Sequence, residues 1–510
     1  MLVPLTTLDG GPSAVCMCSC FVFALPSTWT ADDNDALIGR VEAAAERVVK
    51  KWRLLSGRPE RTKAGVWAIR VPDDLDALHD KPLVAFSTAT RSEPYHVAAG
   101  LSSPLPPFSA ASSGFLPSPK AALFYHTTRP SSLAAHAKTG APLVNLHLTL
   151  CTDAVAIGIS VSHGLLDGTG IGLLLSALSA ELHGKEWQAP PLPEDGTNPF
   201  IAALDRLEAD ETVFQQAARE PPPPISQGWR PATLGRGIKL LLSMLWENWW
   251  YGSHARWVFL RQVTVDVLVE RVKEDIKDET EGREYVSTGD VLAAWLLKAA
   301  HAKEKSAREA LSASALYSSR SLLDAHSPSS PSLALYPHNA AIAYPLLSTD
   351  LPLSTLSTIS VSTLALSFRR QLPLHRTLPS LLTIWQGLQK SELLPHRDWL
   401  QPPSFLRLPS LFLPRGKITH THRFLFSNQL SVGMGSFSLP DFSSHSGGGE
   451  AKDLPLIVYY NLGEGPVELD SVLPIQQTEA GVTVSATMRK SRWESLERAI
   501  RELEEEGASR

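Results

Sequence analysis

The stretch AVAIGISVSHGLLDGTG, residues 154–170, decides how this chain folds. From Val155 to Ser162, branched apolar residues alternate with the small residues alanine, glycine and serine. This alternation predicts a β-strand whose small-residue face lets a bulky neighbour approach closely. His163 stands where the strand ends, and Gly168 opens a pattern of helical spacing. A strand, a short loop from histidine to aspartate and a helix therefore form the centre of the predicted fold.

Upstream of this centre, residues 144–150 alternate in the same way, so we expect a hairpin with the 154–162 strand. Residues 32–55 show the spacing of an amphipathic helix; its apolar positions are Leu37, Val41, Ala45, Val48, Trp52 and Leu55. The cysteine-rich run 16–20 fits neither a disulfide framework nor a zinc site with paired ligands. It favours a buried strand with reduced thiols.

The second half of the chain continues the mixture of strands and helices. We predict a strand near 257–260, a helix over 265–277 and a closing helix over 491–506. Ser287 and Asp290 form a capping box ahead of another helix. The fold class expected from these patterns is mixed α/β.

At 510 residues the chain exceeds the roughly 250–300 residues that one hydrophobic core serves. We predict a first domain over 1–205, a crossover linker over 206–250 and a second domain over 251–510. The linker contains Pro221–Pro224, a stiff extended run. We also expect a segment near 370–410 to pack with the first domain.

Charge and hydropathy exclude several classes of function. A net charge of -5 leaves no basic surface for nucleic acid, and no stretch reaches the roughly 20 apolar residues of a membrane-spanning helix. Residues 237–251 end in aromatics, which favours a helix docked on the protein body and leaves peripheral contact with a membrane open. The start of the chain lacks the charged region of a signal peptide. We expect a cytoplasmic monomer.

His163 is the candidate for chemistry. Imidazole titrates near neutral pH and can take a proton from a hydroxyl nucleophile, which is worth about 10²–10⁴-fold in rate. Asp167 is a weak base and is expected to hold the loop instead. Taken alone, a histidine and an aspartate four residues apart also fit a purely structural role. His420 and His422 share metal-like spacing, but alternation on one strand explains it, so we predict no metal site.

The segment 160–168 resembles the HxxxD active-site signature of the BAHD acyltransferases and their fungal relatives, within the chloramphenicol acetyltransferase-like superfamily. Weaker matches to the family follow in the family's order at 4–9, 51–58, 286–295, 317–323 and 336–340. The resemblance thus spans nearly the whole chain, although only the His163 motif is specific by itself.

The resemblance implies two chloramphenicol acetyltransferase-like domains, each a mixed sheet flanked by helices, with the active-site channel between them. His163 and Asp167 would be the catalytic pair of the motif, and Arg320 would pair with Asp167, with Gly168 supporting the site. Acyl-coenzyme A would be a co-substrate and no cofactor would be bound permanently. The acceptor would be a small alcohol or amine.

The chain departs from the plant family where that family has Asp-Phe-Gly-Trp-Gly. The nearest segment here keeps Asp441 and Phe442 but not the glycines or the tryptophan, which indicates a divergent, fungal-type member. By the resemblance, Asp441 would support the site structurally. Ser427 and Asn339 would bind substrate, Ser427 through a hydroxyl facing the donor or the oxyanion.

Three functions remain open at this point. The first is an acyl-coenzyme A O-acyltransferase acting on a hydroxylated secondary metabolite. The second is a condensation-type or lipid acyltransferase with a carrier-bound or long-chain donor, although Ser162 stands where that group usually has a first histidine. The third is a binding protein that kept the fold without catalysis.

Overall fold

A computed structural model gives the structure of the protein. Strands and helices alternate irregularly along the chain, and most of the strands form two large mixed sheets. The residues that the structure describes are 1–10, 12–75, 81–104, 112–126, 128–193, 196–210, 230–231, 249–250, 252–326, 332–389, 400–401, 420–433, 437–440, 452–453, 455–460 and 471–508.

The strands of these ranges, in chain order, are β1 (Leu2–Pro4), β2 (Cys16–Ala24), β3 (Arg58–Arg61), β4 (Trp67–Arg70), β5 (Ala85–Thr90), β6 (Gly114–Leu116), β7 (Val144–Leu150), β8 (Ala154–Ser162), β9 (Arg230–Pro231), β10 (Ser253–Arg261), β11 (Glu309–Ser318), β12 (Ala341–Pro345), β13 (Leu351–Pro352), β14 (Leu400–Gln401), β15 (His420–Phe426), β16 (Leu439–Pro440), β17 (Lys452–Asp453), β18 (Ile457–Tyr460), β19 (Ser471–Gln477) and β20 (Gly481–Arg489). The α-helices are α1 (Thr7–Gly10), α2 (Ala31–Lys51), α3 (Tyr95–Ala99), α4 (Leu133–Thr139), α5 (Gly168–Leu182), α6 (Pro199–Ala209), α7 (Gln262–Thr280), α8 (Thr288–Ala300), α9 (Arg320–His326), α10 (Leu353–Thr358), α11 (Val361–His375), α12 (Leu378–Gln389) and α13 (Lys490–Ala508).

The first large sheet has the strand order β18-β2-β8-β7-β5. Strands β5 and β7 run parallel, and the other neighbours are antiparallel. The predicted hairpin is confirmed, with Leu150 opposite Val155 at its turn. The cysteine-rich strand β2 lies between β18 and β8, and its thiols are buried and not in disulfides. Helix α2 packs against α5, and both contribute to the core of this sheet.

The second large sheet has the strand order β12-β11-β15-β19-β20-β10-β6, with β13 beside β11. It is also mixed, because β15 runs parallel to both β11 and β19. Helices α7, α8, α11 and α13 bury their apolar faces in its core. The predicted strand near 257–260, the helix after it, the capping box of Ser287 and Asp290, and the closing helix are all confirmed.

The two halves of the chain exchange strands. Strand β18, from the second half, pairs with β2 in the first sheet, and β6, from the first half, pairs with β10 in the second. Strand β6 lies in the region 102–120, which its sequence predicts as a loop. Three residues at a sheet edge carry no periodic pattern, so only their partner strand decides their conformation.

Two further segments lie elsewhere than the predicted boundaries place them. Helix α6 begins within the predicted first domain, yet its Phe200 and Leu204 are buried in the second core. The described part of the 370–410 segment also packs in the second core, through Leu381 and Trp385. Apolar spacing predicts that such helices bury a face, but not against which sheet.

Among the helices of the described ranges, none is both long enough and apolar enough to cross a bilayer. Most of the 237–251 segment, for which contact with a membrane was left open, lies outside the described residues. At its end, Trp249 and Trp250 are exposed, with ring centroids 5.8 Å apart.

Candidate active site

His163 follows the last residue of β8, and its backbone nitrogen donates to the carbonyl of Val15 at 2.9 Å. The residue is half-buried, and its Nδ1 is buried without a hydrogen-bond partner among the described residues. Burial lowers the pKa of His163 below its ordinary value, while the nearby charges of Asp167 and Asp9 oppose this shift. The ring is therefore neutral at neutral pH and able to accept a proton.

Asp167 caps the helix that follows the loop. Its side chain accepts a hydrogen bond from the Gly170 nitrogen at 3.1 Å, and one guanidinium nitrogen of Arg320 donates to both carboxylate oxygens at 2.8 and 2.9 Å. Both members of this ion pair are only 4% exposed. Because both oxygens are committed to protein donors, Asp167 is placed to hold the loop rather than to act as a base.

Arg320 begins α9 in the second half of the chain, and its remaining donors are also used. The Nε atom donates to the Tyr336 carbonyl at 2.8 Å, and a terminal nitrogen donates to the His338 carbonyl at 2.7 Å. The other terminal nitrogen reaches the hydroxyls of Thr169 and Ser318. With its donors satisfied, this buried ion pair avoids the large free-energy penalty that either charge would carry if it were buried without its partner.

The segment 336–340 lies along the loop 163–167 and contacts it residue by residue. The contacts are Asp167 N to the Pro337 carbonyl (3.3 Å), His338 Nδ1 to the Leu165 carbonyl (2.7 Å), Asn339 Nδ2 to the His163 carbonyl (2.7 Å) and Ala340 N to Asp167 Oδ2 (3.2 Å). The loop that carries the histidine is thus held by the second half of the chain.

Asp9 is a buried carboxylate that the motif analysis did not single out. It accepts hydrogen bonds from the backbone nitrogen and hydroxyl of Thr6 and from the backbone and side-chain nitrogens of Asn339, at 2.7 to 2.9 Å. Burial raises its pKa, and the proximity of His338 and these donors oppose that rise. The spacing of Thr6 and Asp9, which is that of a capping box, is the sequence signal that could have identified it.

Glycines let the two halves approach at the start of α5. A Cβ atom on Gly170 would lie 2.2 Å from the Pro337 carbonyl oxygen, and one on Gly172 would lie 1.6 Å from that of Val432. At Gly168, predicted to support the site, the added Cβ would instead meet the end of the Gln429 side chain, at 2.1 Å from its amide oxygen. The chain after β15 therefore crosses the first turns of α5, next to the motif.

The other predicted site residues are placed as follows. Ser427 directly follows β15, is buried, and accepts a hydrogen bond from the Gln429 side chain. Asn339 is buried with its amide nitrogen bonded to Asp9 and His163, so this nitrogen is directed at protein groups rather than at a substrate. Asp441 lies outside the described residues.

His422 faces protein partners within the second half of the chain. Its Nε2 lies 3.2 Å from Glu309, and a guanidinium nitrogen of Arg492 lies 3.0 Å from its Nδ1. Among the described residues, no group of three or more histidine, cysteine or acidic side chains is arranged to hold a metal ion.

No family model matches the chain. Among curated proteins, the acetyltransferase MATC1 of Mycosarcoma maydis is 31% identical over 173 residues, which is 31% of this chain and 32% of that protein. The O-acyltransferase pboC of Aspergillus ustus is 29% identical over 266 residues, 52% of this chain and 51% of that protein. The chain therefore matches about a third of the first relative's length and about half of the second's.

Solved structures match over nearly the whole chain. F. graminearum TRI101, complexed with coenzyme A and T-2 mycotoxin, has a TM-score of 0.63 at 12% identity and covers 97% of this chain and 96% of its own. The first condensation domain of the CDA synthetase has a TM-score of 0.52 at 12% identity, covering 100% and 97%. These likenesses show the fold. The sequence relatives named above are fungal, and they are an acetyltransferase and an O-acyltransferase to which this chain is similar over part of its length.

Proposed function

We propose that the protein transfers an acyl group from acyl-coenzyme A to a hydroxyl of a small-molecule acceptor, with His163 as the general base. The observation that carries this proposal is a histidine at a strand end, on a loop fixed from both halves of the chain. The acyltransferase names of the curated relatives support the reaction class. Coenzyme A in the TRI101 complexes supports the donor.

In the proposed reaction, a ring nitrogen of His163 takes the proton of the acceptor hydroxyl while the oxygen attacks the thioester carbonyl carbon. Because Nδ1 is buried, Nε2 is the nitrogen that accepts the proton. The tetrahedral intermediate then collapses, the carbon–sulfur bond breaks, and the protonated ring returns the proton to the departing thiolate. The products are an ester and free coenzyme A, and the histidine ends neutral.

Asp167, Arg320, Asn339 and Asp9 are positioning residues in this proposal. They contact the loop backbone or the helix cap rather than the ring nitrogens, so they fix where His163 stands. A base must lie within hydrogen-bonding reach of the proton it takes, and a displacement of about 1 Å can cost about 10²-fold in rate.

A condensation-type reaction is the second candidate, because the condensation domain shares the fold. Ser162, at the place of that group's first histidine, accepts a hydrogen bond from the Gly164 nitrogen at 3.3 Å and so serves the loop structure. This contact favours the simpler transfer from free acyl-coenzyme A.

The experiment that tests the proposal offers the purified protein acetyl-, propionyl- and longer acyl-coenzyme A donors with mixed alcohols and amines. Release of free coenzyme A is followed by a thiol reagent, and mass spectrometry identifies the products. We expect thioester consumption that depends on the acceptor and yields an ester. If no donor is consumed in any mixture, the proposal is wrong and a binding role is favoured.

A further inference from the structure

The segment 13–15 lies against the loop that carries His163. A Cβ atom on Gly164 would lie 2.5 Å from the Cα atom of Ser13, so the two backbones are in close contact. The carbonyl of Val15 accepts a hydrogen bond from the His163 nitrogen at 2.9 Å. This segment therefore forms a wall directly beside the proposed base.

Val15 is the cross-strand neighbour of His163. Strands β2 and β8 are antiparallel, with Cys16 opposite Ser162, so the next pair outward is Val15 and His163. The hydrogen bond between their backbones agrees with this register. The side chains of directly opposed residues lie on the same face of a sheet, with roughly 4.5–5.5 Å between their Cβ atoms. The isopropyl group of Val15 and the imidazole are therefore side by side.

The sheet opens to solvent at this pair. One pair inward on the same face, Met17 and Val161 are 1% and 0% exposed. The adjacent pair of cysteine and serine, whose side chains point to the opposite face, is also buried. Val15 is 40% exposed, and His163 is half-buried. A single exposed valine is ordinary on a protein surface, but this one lies beside the ring that a substrate has to reach.

The opening offers a substrate hydrocarbon contact. Valine has no donor or acceptor group in its side chain, and the Asn339 amide nitrogen behind the loop is bonded to the His163 carbonyl and to Asp9. A molecule whose hydroxyl bonds the imidazole places its neighbouring carbons within reach of Val15. Covering apolar surface there is favourable, whereas a second hydroxyl pressed against it loses its water without gaining a partner.

The acceptor is the substrate that this contact concerns. A general base has to be within hydrogen-bonding reach of the proton that it removes, so the acceptor lies against the ring before the reaction starts. The thioester carbon has to meet the acceptor oxygen and not the base. Apolar surface beside the ring is therefore in contact first with the carbon skeleton of the acceptor.

We propose that Val15 is a specificity-determining residue, whose isopropyl group packs on the hydrocarbon next to the reacting hydroxyl of the acceptor. The protein then selects alcohols whose reacting hydroxyl is flanked by hydrocarbon, and it disfavours polyols and water. This inference rests on the proposed acyl transfer and adds the substrate class to it. Val15 takes no part in the proton transfer itself.

The first test involves no turnover. Diethyl pyrocarbonate modifies accessible, unprotonated histidines, and peptide mass spectrometry gives the rate of modification at His163. The competing probes are cyclohexanol and myo-inositol, which has the same ring with a hydroxyl on every carbon. We expect cyclohexanol to protect His163 of the wild type at a concentration about tenfold lower than inositol.

The variants isolate the apolar contact. Val15→Thr keeps the shape of the side chain but adds a hydroxyl, and it should lose the preference for cyclohexanol. Val15→Ala removes the two methyl groups, should weaken the protection by cyclohexanol, and provides a second variant should the first fail to fold. Val263, which is 44% exposed in α7, provides the matched control, and Val263→Thr should behave as the wild type. Equal protection by both probes in the wild type, or a preference that survives in both Val15 variants, overturns the assignment.

The second test measures turnover with acetyl-coenzyme A. We expect Val15→Thr to lower transfer to cyclohexanol, relative to hydrolysis of the thioester, by about tenfold. If cyclohexanol protects His163 as expected but the wild type consumes no donor, the acyl-transfer function fails and the acceptor role of Val15 fails with it. If the Val15 variants change the preference among acetyl-, butyryl- and hexanoyl-coenzyme A while protection by cyclohexanol is unaltered, the side chain contacts the acyl group and the proposal is wrong.

Discussion

The side-chain amide of Asn339 donates a 2.7 Å hydrogen bond to the backbone carbonyl of His163. Asn339 belongs to the second half of the chain and His163 to the first, so the position of the proposed base depends on how the halves meet. The same nitrogen also bonds Asp9 at 2.8 Å, which ties the N-terminal segment into the contact.

Replacing Asn339 with alanine should therefore slow the reaction more than it weakens binding. We expect kcat to fall about tenfold or more while the KM for acyl-coenzyme A changes little, because His163 is displaced rather than removed. Loss of the side-chain hydrogen bond to the Asp9 carboxyl should also cost about 1.5–3 kcal/mol in the free energy of unfolding. Steady-state kinetics and urea unfolding measure the two effects. Asn34→Ala in α2 is the control, and an equal kcat loss there would contradict the positioning role.

The buried pair of Asp167 and Arg320 predicts a large loss of stability when one partner is removed. Arg320→Ala leaves a carboxylate buried without its cation, which should lower the free energy of unfolding by about 3–5 kcal/mol. The half-exposed Arg47, paired with Glu181, provides the control, and Arg47→Ala should cost about 0–1 kcal/mol. Chemical denaturation of both variants measures these two losses of unfolding free energy. Similar losses would contradict the prediction, because they would show that the buried ion pair stabilises the protein no more than the exposed one.

Glycine substitutions in two helices should act in opposite directions. In α5, Gly172→Ala places a methyl group 1.6 Å from the Val432 carbonyl oxygen, so we expect a loss of about 1–3 kcal/mol from overpacking. In α2, nothing lies within 4 Å of a Cβ on the exposed Gly39, so Gly39→Ala should gain about 1 kcal/mol from helix propensity. Thermal unfolding of the two variants shows whether each substitution stabilises or destabilises the protein. Stabilisation by Gly172→Ala would mean that the 427–433 segment does not cross α5 closely.

The pH dependence of the rate follows from the lowered pKa of His163. The base must be neutral, so kcat/KM should stay constant as pH falls through the ordinary histidine value near 6.5 and decline only at more acidic pH. A pH profile of initial rates, restricted to the pH range in which the protein remains folded, measures this dependence of kcat/KM. A midpoint above 6.5 would mean that a neighbouring charge, rather than burial, controls the ring.

Much of the fold follows from local patterns in the sequence. The β7–β8 hairpin, the amphipathic α2 and the capping box of α8 are each encoded within at most about 20 consecutive residues, and the structure contains all three. The positions of β6, β18 and α6 were not predictable in the same way. Their partners are distant in sequence. Which sheet they pack with depends on tertiary contacts, and the local hydrophobic periodicity does not predict these.

The sequence likewise predicted some features of the candidate site and not others. Resemblance to the motif identified His163, Asp167 and Arg320, and the structure brings the last two together. The contacts of Asn339 with His163 and Asp9 could not be derived, because a side chain's partners depend on the meeting of segments more than 150 residues apart. The small-residue face of β8 was visible in the sequence, but its close contact with the backbone of Phe124 was not.

The central claim is that His163 removes the acceptor's proton, and the most direct measurement is the acyl-transfer rate of His163→Gln. Glutamine keeps much of the side-chain volume but cannot take up a proton at neutral pH. We predict a fall in kcat of about 10²–10⁴-fold, with an unchanged circular dichroism spectrum and an unchanged KM for acyl-coenzyme A. A folded His163→Gln protein that transfers acyl groups at the wild-type rate would contradict the account.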